Sequence, residues 1–160
     1  MMILNPSKDQ PMIKTISKIL LADDDIDDRN IFEDLLKEGH PNVKLDYVRN
    51  GIELMTFLKN FIPDLLFLDL DMPYKNGLQC LVEIRNADTL KELPVVIFSS
   101  TTRPVNIQTA YEMGAHLFLI KSSKMSEYAA ALKAILSLNW NNPIQVREQY
   151  CLNGRFAAFS

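Results

Sequence analysis

Leu65-Leu66-Phe67-Leu68-Asp69-Leu70-Asp71-Met72-Pro73 decides the fold. Four bulky apolar residues in a row read as a strand buried on both faces, the kind found inside a parallel sheet. The run ends in an acid, and a turn follows at once. A carboxylate at the carboxyl end of a buried strand lies where open α/β sheets place their chemistry. Asp69 is therefore read as a phosphate-accepting nucleophile, an expectation the rest of the chain has to support.

Similar short runs stand on either side. Ile19-Leu20-Leu21-Ala22 leads into Asp23-Asp24-Asp25, and Asp27 and Asp28 suit the first turn of a helix, where the macrodipole favours acids. Ile31, Phe32, Leu35 and Leu36 form that helix's apolar stripe, and Gly39 ends it. Val43, Leu45 and Tyr47 alternate with Lys44 and Asp46, as on a half-exposed strand near a sheet edge. Asn50-Gly51 turns the chain into a second helix, and Gly77 begins a third. Val95-Val96-Ile97-Phe98 is another apolar strand and ends in Ser99; a helix follows from about Pro104. Leu117-Phe118-Leu119-Ile120 ends in Lys121, and Met125, Tyr128, Ala129, Leu132, Ile135 and Leu136 give a last helical stripe. Five strands alternating with five helices, about 25 residues per unit, predict an α/β fold. Its sheet is parallel, with right-handed crossovers and helices on both faces.

Residues 1–15, with Pro6 and Pro11, read as a loose N-terminal extension, and residues 16–138 hold the domain. After Leu138 the periodicity stops. Residues 139–160 read as a polar tail, too short for an output domain. Its Trp140, Tyr150, Phe156 and Phe159 leave packing, a homodimer contact or disorder open.

Composition narrows the class. Of 160 residues, 48% are hydrophobic and 23% charged, enough apolar material for a sizeable core. The net charge of −3 and the lack of clustered Lys and Arg argue against direct DNA binding. Apolar runs reach about five residues where a membrane helix needs about 20, and no secretory signal opens the chain. Cys80 and Cys151 have neither metal nor redox spacing, and a cytoplasmic location is expected. His40 and His116 are isolated and read as structural.

The informative fact is where the polar residues fall. The strands end in Asp23-Asp24, Asp69, Ser99 and Lys121, and in a parallel sheet those ends share one edge. At about 5 Å and an effective dielectric near 20, each carboxylate pair costs about 3 kcal/mol. Such a pocket calls for a cation or for raised pKa values. Mg²⁺ takes one or two carboxylates together with waters and phosphate. Lys121 adds a positive charge and Ser99 a hydroxyl donor. A nucleophile, a metal clamp and donors for the equatorial oxygens are the parts of phosphoryl transfer to an aspartate.

On these segments, together with Leu93-Pro94, Gly114-Ala115 and the Asp71-Met72-Pro73 and Gly77 turn, the chain from about Ile16 to Leu138 resembles the receiver domains of two-component response regulators. The single-domain chemotaxis type is the nearest simple form. The resemblance implies a flavodoxin-like doubly wound sheet in the order 2-1-3-4-5 and a stand-alone regulator. Asp69 would accept phosphate from a phosphohistidine on a sensor histidine kinase or histidine phosphotransfer protein. Asp24 and Asp69 would bind Mg²⁺ directly, Asp23 through water, and Asp71 through its backbone carbonyl. Ser99 and Lys121 would hold phosphoryl oxygens, and Phe118 would be the switch residue behind Ser99. Pro73 and Gly77 would shape the closing loop by fixed and permissive φ. The fourth helix, fifth strand and fifth helix would present the output face. No enzyme acting on a separate substrate is implied.

Two positions depart from the family. Ser122 follows Lys121 where a proline in a cis bond is common, which leaves the reach of Lys121 open; Phe118 replaces a frequent tyrosine. Two other readings fit parts of the pattern. One is an unphosphorylated receiver-like interaction module. The other is a haloacid-dehalogenase-type phosphatase, suggested by Asp69-Leu70-Asp71; there, however, the Asp-x-Asp comes before the acid pair, the reverse of the order here.

Overall fold

The computed structural model describes residues 15–159. The expected extension therefore lies outside the described residues except for Thr15. Strands β1 (Lys18–Ala22), β2 (Lys44–Val48), β3 (Leu65–Leu68), β4 (Val95–Ser99) and β5 (Leu117–Ile120) alternate with five helices. These are α1 (Ile26–Gly39), α2 (Gly51–Asn60), α3 (Gly77–Asn86), α4 (Pro104–Glu112) and α5 (Met125–Leu136). The sheet has the order β2-β1-β3-β4-β5, and every pairing is parallel. This is the doubly wound architecture read from the sequence. β2 is at one edge, and of its five residues Val48 alone is fully buried.

Period-2 alternation divides the core in two. Ile19, Leu21, Leu65, Phe67, Val96, Phe98, Leu117 and Leu119 face α1 and α5, packing with Phe32, Leu36, Tyr128, Leu132 and Ile135. Phe32 meets Phe67 edge-to-face at 4.9 Å between centroids, a favourable geometry for aromatic quadrupoles. Leu20, Ala22, Leu66, Leu68, Val95, Ile97 and Phe118 face α2, α3 and α4, packing with Leu54, Leu58, Leu81, Ile84, Ala110 and Tyr111.

The helix starts follow their caps. Asp25 receives the amides of Asp27 and Asp28 at the head of α1, and Asn76 with Gln79 forms a capping box on α3. Gly77 is required, but not for its φ, as the sequence suggested. Its φ is negative, and a Cβ there would stand 2.2 Å from the Asp69 carbonyl oxygen. Positive φ falls instead on Tyr74 in the same loop.

Residues 139–159 depart most from the sequence reading. They form helix α6 (Pro143–Glu148) and a hairpin of β6 (Cys151–Leu152) and β7 (Arg155–Phe156). Asn153 and Gly154 both have positive φ, as a two-residue hairpin turn requires. Trp140 is buried and donates its indole N–H to the Ile135 carbonyl at 2.9 Å. Val146 is buried beside it. Phe159 reaches back to pair in parallel with Leu119 on the free edge of β5.

Candidate functional site at the carboxyl ends of the strands

The alternation that builds the core also aims the polar side chains. Asp23 continues Ile19 and Leu21, Asp69 continues Leu65 and Phe67, and Lys121 continues Leu117 and Leu119. These three therefore emerge on the α1–α5 side and meet. Lys121 Nζ lies 2.9 Å from Asp23 Oδ2 and 3.4 Å from Asp69 Oδ2. The Lys121–Ser122 bond is trans, so the lysine reaches the acids without the family's proline.

Asp23, Asp24 and Asp69 each offer an oxygen, all within 4.8 Å of one another. Asp23 is fully buried and Asp69 is 4% exposed, while Asp24 faces solvent. Backbone amides brace the two buried acids: Asp25 N–H donates to Asp23 Oδ1 at 2.9 Å and Asp71 N–H to Asp69 Oδ1 at 3.1 Å. Among the described residues Asp23 Oδ2 receives no hydrogen bond, although Lys121 stands within ion-pair distance. Burial raises the Asp69 carboxyl to about 7; Lys121 opposes this, and the neighbouring Asp23 charge adds to it. Burial also raises Asp23, against the pull of the Asp25 amide and Lys121. Lys121 is held above its usual range: burial works against its charge, but contacts with Asp28 and Asp23 outweigh it. One lysine among this many carboxylates leaves surplus negative charge. Hard oxygen donors, one buried with no hydrogen bond, suit a divalent cation.

Asp28 is the residue the sequence reading missed. Its position marks it as a helix-start acid, and its amide does take part in the α1 cap, but its carboxylate makes the shortest contact to Lys121, at 2.7 Å. Asp28 lies in the first turn of α1, on the helix that covers this face of the sheet. That crossing of helix over sheet is the signal that places it, and it exists only in three dimensions.

Ser99 is fully buried and continues Val95 and Ile97 on the opposite face. Its carbonyl accepts the Lys121 amide at 2.8 Å, and its Oγ accepts the Thr101 amide at 3.3 Å. Asp71 has an exposed side chain and contributes its amide. Phe118 is fully buried and lies opposite Ile97, whereas Ser99 has Ile120 beside it. Its amide donates to the Tyr111 hydroxyl at 3.1 Å. A cleft of about 590 Å³ opens next to the acids, lined by Asp24, Asp71, Pro73, Asn76, Asn106 and Thr109. It offers an incoming group a path to the cluster.

Comparison with known proteins agrees with this arrangement. Residues 19–133 match the family model described as the response regulator receiver domain. Response regulator Rcp1 of Synechocystis sp. is 29% identical over 126 residues, covering 74% of this chain and 86% of that protein. The two-component response regulator ORR3 of Oryza sativa subsp. indica is 29% identical over 119 residues, covering 74% and 89%. A protein-glutamate methylesterase/protein-glutamine glutaminase of Trichodesmium erythraeum is 32% identical over 120 residues, but the match covers only 34% of its length. Among solved structures, the Mn²⁺-bound form of Rcp1 aligns with a TM-score of 0.70 at 28% identity, covering 76% of this chain and 93% of that one. The phosphorylated cyanobacterial phytochrome response regulator RcpA aligns with a TM-score of 0.70 at 30% identity, covering 76% and 91%. With a matched segment of this length and the doubly wound sheet in place, the chain belongs to the response regulator receiver family.

Proposed function

We propose that this receiver accepts a phosphoryl group on Asp69 and uses it to change a protein-binding face. The observation that carries the reading is the meeting of Asp69, Asp23, Asp24 and Lys121 at the carboxyl ends of three different strands. The donor is the phosphohistidine of a sensor histidine kinase or histidine phosphotransfer protein. The Asp69 carboxylate attacks phosphorus as the P–N bond breaks; the imidazole nitrogen keeps the bonding pair and takes up a proton, and an acyl phosphate remains. Asp24 and Asp69 would hold Mg²⁺ directly and Asp23 through water, with the Asp71 backbone carbonyl as a further ligand. When bound, the ion neutralises acid charge and phosphoryl oxygens as they approach.

The chain's own groups then divide the work. Lys121 moves its charge from Asp28 towards a phosphoryl oxygen, and Ser99 donates to another. The Thr101 amide, now bonded to Ser99 Oγ, must follow that hydroxyl, which couples the pocket to the start of α4. Phe118 follows into the space behind Ser99, and the α4–β5–α5 face presents the result to a partner protein. The exposed side chain of Asp71 suits a turn residue better than the buried general acid a phosphatase would need. Mass spectrometry after acetyl phosphate and Mg²⁺ tests the proposal: one phosphate is expected on the wild type, mapped to Asp69. Equal uptake by Asp69→Asn would overturn the acceptor assignment, and uptake unchanged by EDTA would overturn the metal.

A further inference from the structure

The free edge of β5 is already occupied, by the chain's own C-terminal segment. In a parallel sheet the outer edge leaves alternate amides and carbonyls without strand partners, and such an edge recruits any extended segment within reach. Here Ile120 N–H donates to the Phe159 carbonyl at 2.9 Å, and Phe159 N–H donates to the Phe118 carbonyl at 2.8 Å. The Tyr111 hydroxyl accepts the Phe118 amide at 3.1 Å and donates to the Ala157 carbonyl at 2.7 Å, bridging strand and segment. The Phe156 ring stacks on Tyr111 at 4.3 Å, tilted by 12°. The Gln108 carboxamide reads the same backbone twice, accepting from Phe156 N–H at 3.1 Å and donating to the Gly154 carbonyl at 3.3 Å. Backbone pairing along an edge with side-chain seats at set positions is the pattern of strand addition.

The occupant is lightly held compared with what it covers. Tyr111 and Phe118 are fully buried beneath it, whereas Phe156 and Phe159 are half-buried and Arg155 and Ala157 are exposed. The five-stranded sheet is complete without it. Trp140 and Val146 anchor the preceding helix independently.

We infer that the β5 edge, with Tyr111 and Gln108, is a strand-docking groove. Its resident is the chain's own Phe156–Phe159 segment, and its external ligand is an extended segment of a partner protein with aromatic residues three positions apart. This deepens the proposed output face and rests on that reading for its use in signalling. Docking itself needs no phosphate. Ile120 immediately precedes Lys121, so the groove adjoins the pocket through one peptide unit.

The test uses the full chain with Phe156→Ala and Phe159→Ala together, which empties the groove without touching the acid cluster. The probe is a fluorescein-labelled peptide of residues 153–160. It is expected to bind the double variant about tenfold more tightly than the wild type, whose tethered segment competes at high effective concentration. A peptide with both Phe replaced by Ala is expected not to bind. Unfolding of the variant is excluded by its melting transition and its circular dichroism. Hydrogen exchange on the wild type gives an independent reading: the Ile120 amide is expected to exchange faster than the inner Lys121 amide, which bonds Ser99. Equal peptide binding to variant and wild type, no binding to a folded variant, or an Ile120 amide protected as well as Lys121 would each overturn the groove. None of these outcomes depends on whether Asp69 takes phosphate, so the two readings fail separately.

Discussion

The two ends of the sheet bury titratable groups in opposite ways. At the carboxyl ends, Asp23 and Asp69 crowd with Asp24 and Asp28 around one lysine, and burial lifts Asp69 to about 7. At the amino ends, Arg85 and His116 are also largely buried, yet each has a backbone partner. Arg85 donates to the Gly114 carbonyl through Nε at 3.0 Å and Nη2 at 2.7 Å, and to the Lys91 carbonyl at 3.1 Å. His116 Nδ1 accepts the Val95 amide at 3.0 Å, and its ring meets Trp140 edge-to-face. A guanidinium satisfied by carbonyls and a neutral ring satisfied by an amide hold elements together, whereas charge facing like charge stores an unmet demand for a cation. The first arrangement is architecture and the second is a site.

The largest separation between the two ends is expected from removing one group at each. Asp69→Asn abolishes phosphate uptake and, without metal at pH 8, raises stability by roughly 2 kcal/mol, because a buried charge with like-charged neighbours is gone. Arg85→Met leaves uptake intact and lowers stability by about 2–4 kcal/mol, since the Gly114 carbonyl loses both donors. Denaturant melts in EDTA, paired with phosphate mass analysis, check both. A stabilised Arg85→Met or a destabilised Asp69→Asn would erase the distinction.

Acid separates the ends with opposite signs. The folded Asp69 pKa lies above its unfolded value of 3.8, so in EDTA its contribution to stability grows as pH falls from about 7 towards 3.8. Burial, followed by the charges of Arg85 and Arg147, depresses His116 from 6.5 to about 3, so its contribution is full above 6.5 and is lost as pH falls below it. Between pH 7.5 and 5 the histidine term is worth about 2 kcal/mol. Wild type is expected to show a shallow pH profile as the two offset. Asp69→Asn is expected to lose stability towards pH 5 and His116→Gln to gain it. Parallel slopes in all three would break the pairing of the two ends.

The same contrast explains what could be read from the sequence. Four apolar runs, each followed by a polar residue, specify strands, order of elements and one candidate edge, because a parallel sheet allows its strand ends only one side. The half-exposed alternation of Val43 to Tyr47 likewise marked β2 as an edge. Asp28 was not legible: a helix-start acid and a lysine partner have the same local sequence, and only the reach of Lys121 from the end of β5 to the first turn of α1 distinguishes them. The Gly77 reading has the right residue and the wrong cause, since the space that a Cβ would take from the Asp69 carbonyl, at 2.2 Å, leaves no local trace. Asn153-Gly154 did carry a hairpin signal. Strands of two residues are too short to show a period, however, and the edge they complete is 30 or more residues earlier in the chain.

The smallest expected effect is also the finest test of the crowded end. Asp28 holds Lys121 at 2.7 Å, closer than Asp69 does at 3.4 Å. If Asp28 parks the lysine until phosphate arrives, Asp28→Asn frees Lys121 for Asp69 and the phosphoryl oxygens. The pair is partly exposed, with side-chain exposures of 15% and 28%, so its net worth is about 1 kcal/mol or less. Stability should therefore barely move, while phosphorylation by acetyl phosphate changes by about threefold to fivefold, the kinetic equivalent of that energy. Lys121→Met should make the Asp28 substitution silent, because the two act through one contact. An Asp28→Asn effect that persists without Lys121 would show that Asp28 acts only as a helix-start acid, as its sequence position alone suggests.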